Sequence, residues 1–328
     1  MKIIVLKMKK KALLLGAILE VSSSAYAKEV LPVVEEVQET IVIAEVTPEP
    51  LIKSVTVGQS LEVDNTSGQK NIGEDVIFMN TAELSTENWD YTIGAGKVFS
   101  SDTHSREGGL YDRGTSRMEL QAIRNFDNWF LGIKVQSNDD YDRWYLRTGY
   151  DYGMFSGWMD AQYYSQEKNN EDYGRIEIMP FNVTFGPIKV GYYLDYIDYT
   201  GKGQIQLNDK GETVTNGYIL KKSADHQLRA YAPLYNGEKL DLSLEYRLGL
   251  HNSMDYSNLT KNEGYRVYKD FNYNAMIINA NYALNDSFDI YGYYRYDISK
   301  FEAKDGVITN KDDGKYYGEF QIGWSYTF

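Results

Sequence analysis

The chain closes on Lys315-Tyr-Tyr-Gly-Glu-Phe-Gln-Ile-Gly-Trp-Ser-Tyr-Thr-Phe328, and the alternation in that stretch decides the fold. Tyr316, Gly318, Phe320, Ile322, Trp324, Tyr326 and Phe328 fall on one face. Tyr317, Glu319, Gln321, Gly323, Ser325 and Thr327 fall on the other. Side chains on a strand alternate sides, so this is a strand with one apolar and one polar surface. In a water-soluble protein a further element would be expected to cover the aromatic face, but the sequence stops on an aromatic residue.

The same pattern recurs upstream. In 239–251, Leu240, Leu242, Leu244, Tyr246, Leu248 and Leu250 alternate with Asp241, Ser243, Glu245, Arg247 and Gly249. In 187–199, Ile188, Val190, Tyr192 and Leu194 alternate with Lys189, Gly191, Tyr193 and Asp195. The stretch 173–184 changes phase at Met179-Pro180, with Ile176 and Ile178 before it and Phe181, Val183 and Phe185 after. Proline lacks the ladder donor, so a bulge is expected there.

Fourteen strands are expected, at 51–63, 75–86, 89–101, 113–126, 129–137, 141–153, 157–167, 173–184, 187–199, 218–234, 239–251, 265–283, 287–300 and 315–328. The connections after even-numbered strands are tight: Glu87-Asn88, Asp127-Asn128, 154–156, Gly186, Asn236-Gly237 and Asn285-Asp286. Most of the others are longer and polar, such as 201–217. Short turns at one end and long loops at the other, with an even strand count, predict an all-β transmembrane antiparallel barrel with both termini on the short-turn, periplasmic side. Two aromatic girdles are expected to mark the membrane boundaries. Trp89, Trp129, Trp158, Phe288 and Phe328 lie at the turn side, and Tyr111, Tyr141, Tyr173, Tyr218, Tyr265 and Tyr316 at the loop side.

Composition agrees. Mean hydropathy is −0.50, as expected when apolar and polar positions alternate, and the 30 Tyr against 12 Phe and 5 Trp suit strands wet on one side. Lys9-Lys10-Lys11, the apolar run 12–19 and Ala25-Tyr26-Ala27 read as an export signal cleaved before Lys28, with the run too short to span a membrane. Losing the five Lys and one Glu of residues 1–27 takes the net charge from −13 to −17, which disfavours nucleic acid as a partner. Residues 28–50, rich in Glu and carrying Pro32, Pro48 and Pro50, read as an unstructured periplasmic tail. The chain has no Cys, so disulfide and thiol chemistry are excluded.

Fourteen strands spaced ~4.7 Å apart and tilted ~40° imply a backbone diameter of roughly 28 Å and an aqueous bore of about 10 Å. By alternation the candidate pore-lining cations are Arg117, Lys134, Arg147, Arg175, Lys189, Arg229, Arg247 and Arg295. The anions are Glu119, Asp151, Asp160, Glu177, Asp195, Asp241, Glu245, Asp289, Asp297 and Glu319. Both signs within one lumen are compatible with a transverse field that orients polar solutes and with cross-strand ion pairs that stiffen a wet wall. The loop 201–217 is the segment expected to fold inward.

Catalysis would require a nucleophile beside a positioned base. The three histidines are His104, His226 and His251. Only His251, near Asn252 and Ser253, sits among suitable residues, and three scattered His do not make a zinc site. Asn138-Asp139-Asp140 with Asp142, and Asp312-Asp313-Gly314, offer oxygen ligands for calcium but read better as solvated loop charge. No catalytic residue, metal or cofactor is expected.

The terminal strand, with Trp324, Tyr326 and Phe328, resembles the assembly signal of bacterial outer-membrane barrels. Together with Ala25-Tyr26-Ala27, Lys28-Glu29-Val30 and the acidic Pro-containing stretch, it resembles the fusobacterial major outer-membrane porins. That resemblance implies a fourteen-stranded, voltage-gated general diffusion porin, with adhesion to other bacteria in some members. The expected function is passive passage of small hydrophilic solutes and ions. A channel specific for acidic oligosaccharides and a loop-displaying adhesin are the alternatives. Expected partners are outer-membrane lipid, the barrel-assembly machinery, the solutes themselves and further copies of the chain.

Overall fold

The computed structural model describes residues 51–66, 75–100, 114–139, 141–166, 172–199, 219–257, 265–304 and 314–328. The export signal, the acidic tail, His104, Tyr111, Asp140, the 201–217 loop, Tyr218 and Asp312-Asp313 lie outside the described residues.

Fourteen strands run in chain order: β1 Ser54–Thr66, β2 Asp75–Ser85, β3 Trp89–Ser100, β4 Thr115–Asn125, β5 Trp129–Asn138, β6 Tyr141–Tyr152, β7 Phe155–Gln166, β8 Tyr173–Phe185, β9 Ile188–Tyr199, β10 Ile219–Asn236, β11 Leu240–Ser257, β12 Tyr265–Asn285, β13 Phe288–Lys304 and β14 Gly314–Thr327. Each pairs antiparallel with its sequence neighbours, and β1 pairs with β14, so the sheet closes on itself. Strands β10 to β13 hold 17–21 residues where β2 to β9 hold 10–13. Strands β11 and β13 thus run past the ends expected at 251 and 300, because their backbones keep pairing toward the loops.

The ladder is strongly tilted. Paired residues lead from Val57 through Ala82, Ile93, Leu120, Val135, Trp144, Tyr163, Gly174, Asp198 and Lys222 to Asp255. Val57 lies near the turn-side end of β1 and Asp255 near the loop-side end of β11, so the rungs climb around the wall as barrel closure requires.

The two faces separate as the alternation predicts. Ile93, Met118, Ile133, Leu146, Ile176, Met276 and Ile322 stand exposed on the outer surface. Small turn-side connections carry the expected chemistry. Gly153 and Gly186 have φ of 71° and 58°, a region open to glycine without strain. The Gly153 amide donates to Asp151 Oδ1 at 2.9 Å.

The expected bulge at Met179-Pro180 is present. Strand β7 pairs Trp158 with Met179 and Ser156 with Asn182, while β9 pairs Leu194 with Ile178 and Gly191 with Asn182. One extra residue on β8 lets Ile176 before the bulge and Phe181 and Phe185 after it all face outward. The Tyr150 hydroxyl donates to Pro180 O at 2.7 Å. Gly157 lies against the bulge, where a Cβ would sit 2.7 Å from Pro180 O and 2.9 Å from Met179 O.

Four irregularities have no proline to announce them, at Leu220/Lys222, His226/Gln227, Tyr268/Tyr273 and Ala283/Asn285. Between Gln227↔Gly249 and His226↔His251 an extra residue on β11, Leu250, reverses its alternation. On β12 the pairing jumps from Tyr268↔Phe301 to Tyr273↔Ser299, and Phe271 takes a φ of 59°. A bulky residue there costs about 1–3 kcal/mol.

Gly157→Ala should therefore lower barrel stability by about 1–3 kcal/mol, because backbone oxygens cannot rotate away from the added methyl. Gly174→Ala, whose Cβ meets nothing closer than 3.9 Å, should leave it unchanged. Urea unfolding of the refolded barrel in detergent measures both, and equal midpoints for the two variants would contradict this packing.

Candidate functional site

The polar face is the concave inner wall. Several of its side chains bond across an intervening strand, which is possible only where side chains converge. Arg147 Nη1 on β6 donates to Gln121 Oε1 on β4 at 2.5 Å, and Tyr293 on β13 donates to Glu62 on β1 at 3.1 Å. The Tyr231 hydroxyl on β10 lies 3.5 Å from Met179 Sδ on β8.

Seven of the eight expected cations and seven of the ten expected anions join one belt of ion pairs on this wall. Glu119 takes Arg117 and Lys134, each at 2.6 Å. Arg147 meets Asp160 at 3.0 Å. Arg175 binds Asp195 through two nitrogens at 2.8 and 2.6 Å and reaches Glu177 at 3.3 Å. Glu245 accepts from Arg247 at 2.6 Å and faces Arg229 at 3.8 Å. Arg295 pairs with Asp297 at 2.6 Å and Glu319 at 3.5 Å. Amides and phenols splice these pairs together. Gln162 accepts from Arg143 and donates to Glu177 at 2.6 Å, and Tyr193 donates to Glu177 at 2.6 Å. Side chains of the belt pairs are 6–30% exposed, the lowest being Asp297 and the highest Arg147. Their charges are therefore partly hydrated, and each pair contributes less than a dry one would lose on breaking.

Lys189, Asp151, Asp241 and Asp289 do not join the belt. Each sits within two residues of a turn-side strand end. Lys189 and Asp151 border a recess of about 630 Å³ with Trp158, Asn182 and Tyr231. Asp151 holds the 153–154 turn, and Asp289 is 3.5 Å from the Asn281 amide. A second recess of about 630 Å³ runs along β8 to β13, bordered by Arg175, Arg229, Arg247 and Arg295 among their carboxylates.

Several charged lining residues escaped the sequence reading, among them Arg143, Glu62, Asp64 and Asp225, the last bordering the β8 to β13 recess. Arg143 shares the parity of Arg147 and stacks 4.2 Å over Tyr164 and 4.8 Å over Tyr145, so alternation alone could have found it. Glu62 and Asp64 lie on β1, whose alternation is the least clean. With Glu319 they bring three carboxylates within 4.8 Å of one another. Beside them β2 and β3 present Met79, Gly94 and Gly96 inward. Gly94 and Gly96 leave room for the Met79 side chain, as a close approach requires.

The aromatic girdles need correction. Trp158, Tyr141 and Tyr173 face the lumen. Trp158 packs 6.1 Å from Tyr193, and Tyr141, Tyr164 and Tyr173 stack at 5.6 and 4.1 Å. Their parity follows the inward charges of β6, β7 and β8, which overrides their closeness to strand ends. The turn-side outer ring does stand. Phe126 stacks on Trp129 at 3.9 Å, Trp89 on Tyr91 at 5.9 Å, and Phe288 on Trp324 at 5.7 Å. Of the terminal-strand signal, Trp324 and Tyr326 share this outer face, and Phe328 lies edge-on to Tyr326 at 4.8 Å. The Phe328 amide donates to Val55 O at 2.9 Å.

The two described histidines, His226 and His251, sit on the outer wall. Tyr192 and His226 Nδ1 are 2.6 Å apart, and His251 Nδ1 is 2.8 Å from Asp270. The extra residue Leu250 turns His251 outward, away from the belt. Asn138 caps the Tyr141 amide at 2.8 Å and Asp142 accepts from Ser137 at 2.7 Å, so these two loop residues serve the β5–β6 connection.

No protein-family model matches the sequence, and no curated protein matches it. Among solved structures, OmpT, an outer membrane protein of Vibrio cholerae, is similar at 9% identity with a TM-score of 0.42, covering 87% of this chain and 100% of that one. An anion-selective porin from Comamonas acidovorans is similar at 11% identity and a TM-score of 0.38, covering 84% and 99%. The outer membrane channel DcaP of Acinetobacter baumannii stands at 10% and 0.39, covering 84% and 96%. Scores this low add nothing to the architecture, which rests on the chain's own closed ladder.

The belt makes opposite predictions for its two sectors. Arg143→Gln with Arg147→Gln should raise the cation-to-anion permeability ratio, and Glu62→Gln with Asp64→Asn should lower it, each roughly two- to threefold. Reversal potentials across a salt gradient measure this. Shifts of the same sign, or none, would remove these residues from the permeation path.

Proposed function

We propose that this chain is a passive channel of a bacterial outer membrane, admitting small hydrophilic solutes and ions, with both termini on the periplasmic side. The observation that carries the reading is the contrast between the two walls of one closed barrel. Hydrocarbon-type side chains cover the outside, and a partly hydrated belt of ion pairs lines the inside. In lipid every backbone polar group needs an internal partner, and a closed barrel supplies one without helices. No helix among the described residues is long and apolar enough to cross a membrane, a statement that leaves strands free to do so. A lumen with fixed charge of both signs repels neither sign outright and favours hydrated solutes over apolar ones.

A channel dedicated to acidic oligosaccharides would need guanidinium groups free to meet them. The arginines of the β8 to β13 recess each have a carboxylate close by: Arg175 on Asp195, Arg229 and Arg247 on Glu245, Arg295 on Asp297. This matching supports the general channel over the dedicated one. The fusobacterial porin resemblance, with its voltage gating, is consistent with the general reading, and adhesion would belong to loops outside the described residues.

Single-channel recording of the refolded chain in a planar bilayer tests the proposal. Large, stable, ohmic steps are expected. A barrel that is folded by its heat-dependent gel mobility yet electrically silent would overturn it.

A further inference from the structure

One cation on the outer wall is held by aromatic rings and by no carboxylate. Arg124, one residue from the turn-side end of β4, shares the outward parity of Met118 and Leu120 and is exposed as they are. Its guanidinium carbon lies 5.8 Å from the centre of the Trp89 ring and 5.0 Å from that of Phe126. Trp89 is its ladder partner on β3 and stacks on Tyr91, while Phe126 stacks on Trp129. The cation thus stands between two ring stacks in the turn-side aromatic belt, at the level where headgroups meet acyl chains. Among the described residues no acceptor takes its N–H groups. A guanidinium has five of them in a planar fork, and stacking through its faces leaves the edge of the fork open.

The other outward strand cations with described side chains are engaged, and both lie toward the loops. Lys97 donates to Gly114 O at 3.3 Å, and Lys222 pairs with Asp198 at 3.3 Å. The turns beyond Arg124 carry the opposite sign. The Asn125 amide donates to Asn88 O at 2.8 Å, which ties the turn after β2 to the end of β4. Glu87 and Asp127 are the exposed charges of the turns after β2 and β4. Away from them along the same wall lie the exposed side chains of Ile93, Leu120 and Met118. From bilayer to water the order is therefore apolar wall, rings with a guanidinium, then carboxylates.

We propose that this corner seats one glycerophospholipid of the leaflet on the turn side. The Arg124 fork takes two oxygens of its phosphodiester, the geometry guanidinium groups favour. Glu87 and Asp127 meet a primary ammonium on its headgroup, and the acyl chains lie along the apolar wall. The carboxylates disfavour a headgroup with no positive charge, and the apolar wall favours a lipid over free phosphate. The inference rests on the membrane placement proposed above. Bilayer recording tests that placement without reference to Arg124, so the two can fail separately.

Native mass spectrometry of the refolded chain in an uncharged detergent, with dioleoylphosphatidylethanolamine added, tests the seat. One retained lipid per barrel is expected. Arg124→Gln should lower its occupancy at least fivefold, and Lys222→Gln should leave it unchanged. Dioleoylphosphatidylglycerol and dioleoylphosphatidylcholine lack the primary ammonium and should be held more weakly. Glu87→Gln with Asp127→Asn should remove that preference, and excess inorganic phosphate should not displace the lipid. Undiminished lipid on a folded Arg124→Gln barrel, equal loss through Lys222→Gln, indifference to the headgroup, or displacement by inorganic phosphate would each overturn the proposal. If heat-dependent mobility shows that Arg124→Gln does not fold, the headgroup preference and phosphate competition of the wild-type chain decide.

Discussion

The ladder between β1 and β14 joins the two ends of the described chain, from Thr56↔Thr327 to Thr66↔Tyr317, and the other features depend on it. Without that seam two strands would carry unpaired amides and carbonyls, which water can satisfy and hydrocarbon cannot. With it, the backbone makes no demand on the membrane, and the side chains are free to divide into a wall for lipid and a wall for water. The inner belt exists because closure makes that wall concave. Arg147 can reach Gln121 past β5, and Tyr293 can reach Glu62 past β14, only where side chains converge.

Much of this was legible because alternation is a local rule whose outcome is global. Where strands alternate cleanly, as in 187–199 and 239–249, the face of each residue follows from its parity. The bulge in β8 was legible too, since Pro180 cannot donate to a ladder. The bulge at Leu250 was not. No residue type announces it, and it arises from how β10 and β11 share register over 18 residues each. His251 faces outward as a result.

The errors in the candidate site have separate physical origins. Glu62 and Asp64 were missed because Gln59 puts a polar residue on the outward face of β1 and blurs the contrast between its faces, leaving its register to be set by β14 and β2. Arg143 was missed although its parity was plain. Trp158, Tyr141 and Tyr173 were given to the girdles on the strength of their position along the strand. Position along a strand sets depth, and parity sets the side. Four expected lining charges, Lys189, Asp151, Asp241 and Asp289, have the inward parity but the wrong depth for the belt.

The climb of the rungs from Val57 to Asp255 has a consequence for how such a pore can change. A closed, tilted ladder is a screw, and its pitch sets the bore. Sliding one seam by a single residue would exchange the wet and greasy sides of every strand on one side of it, so only slips of two residues preserve both walls. The width of the passage can therefore move in discrete steps alone. Between those steps, evolution of this chain has only the length and charge of inward side chains with which to tune what passes.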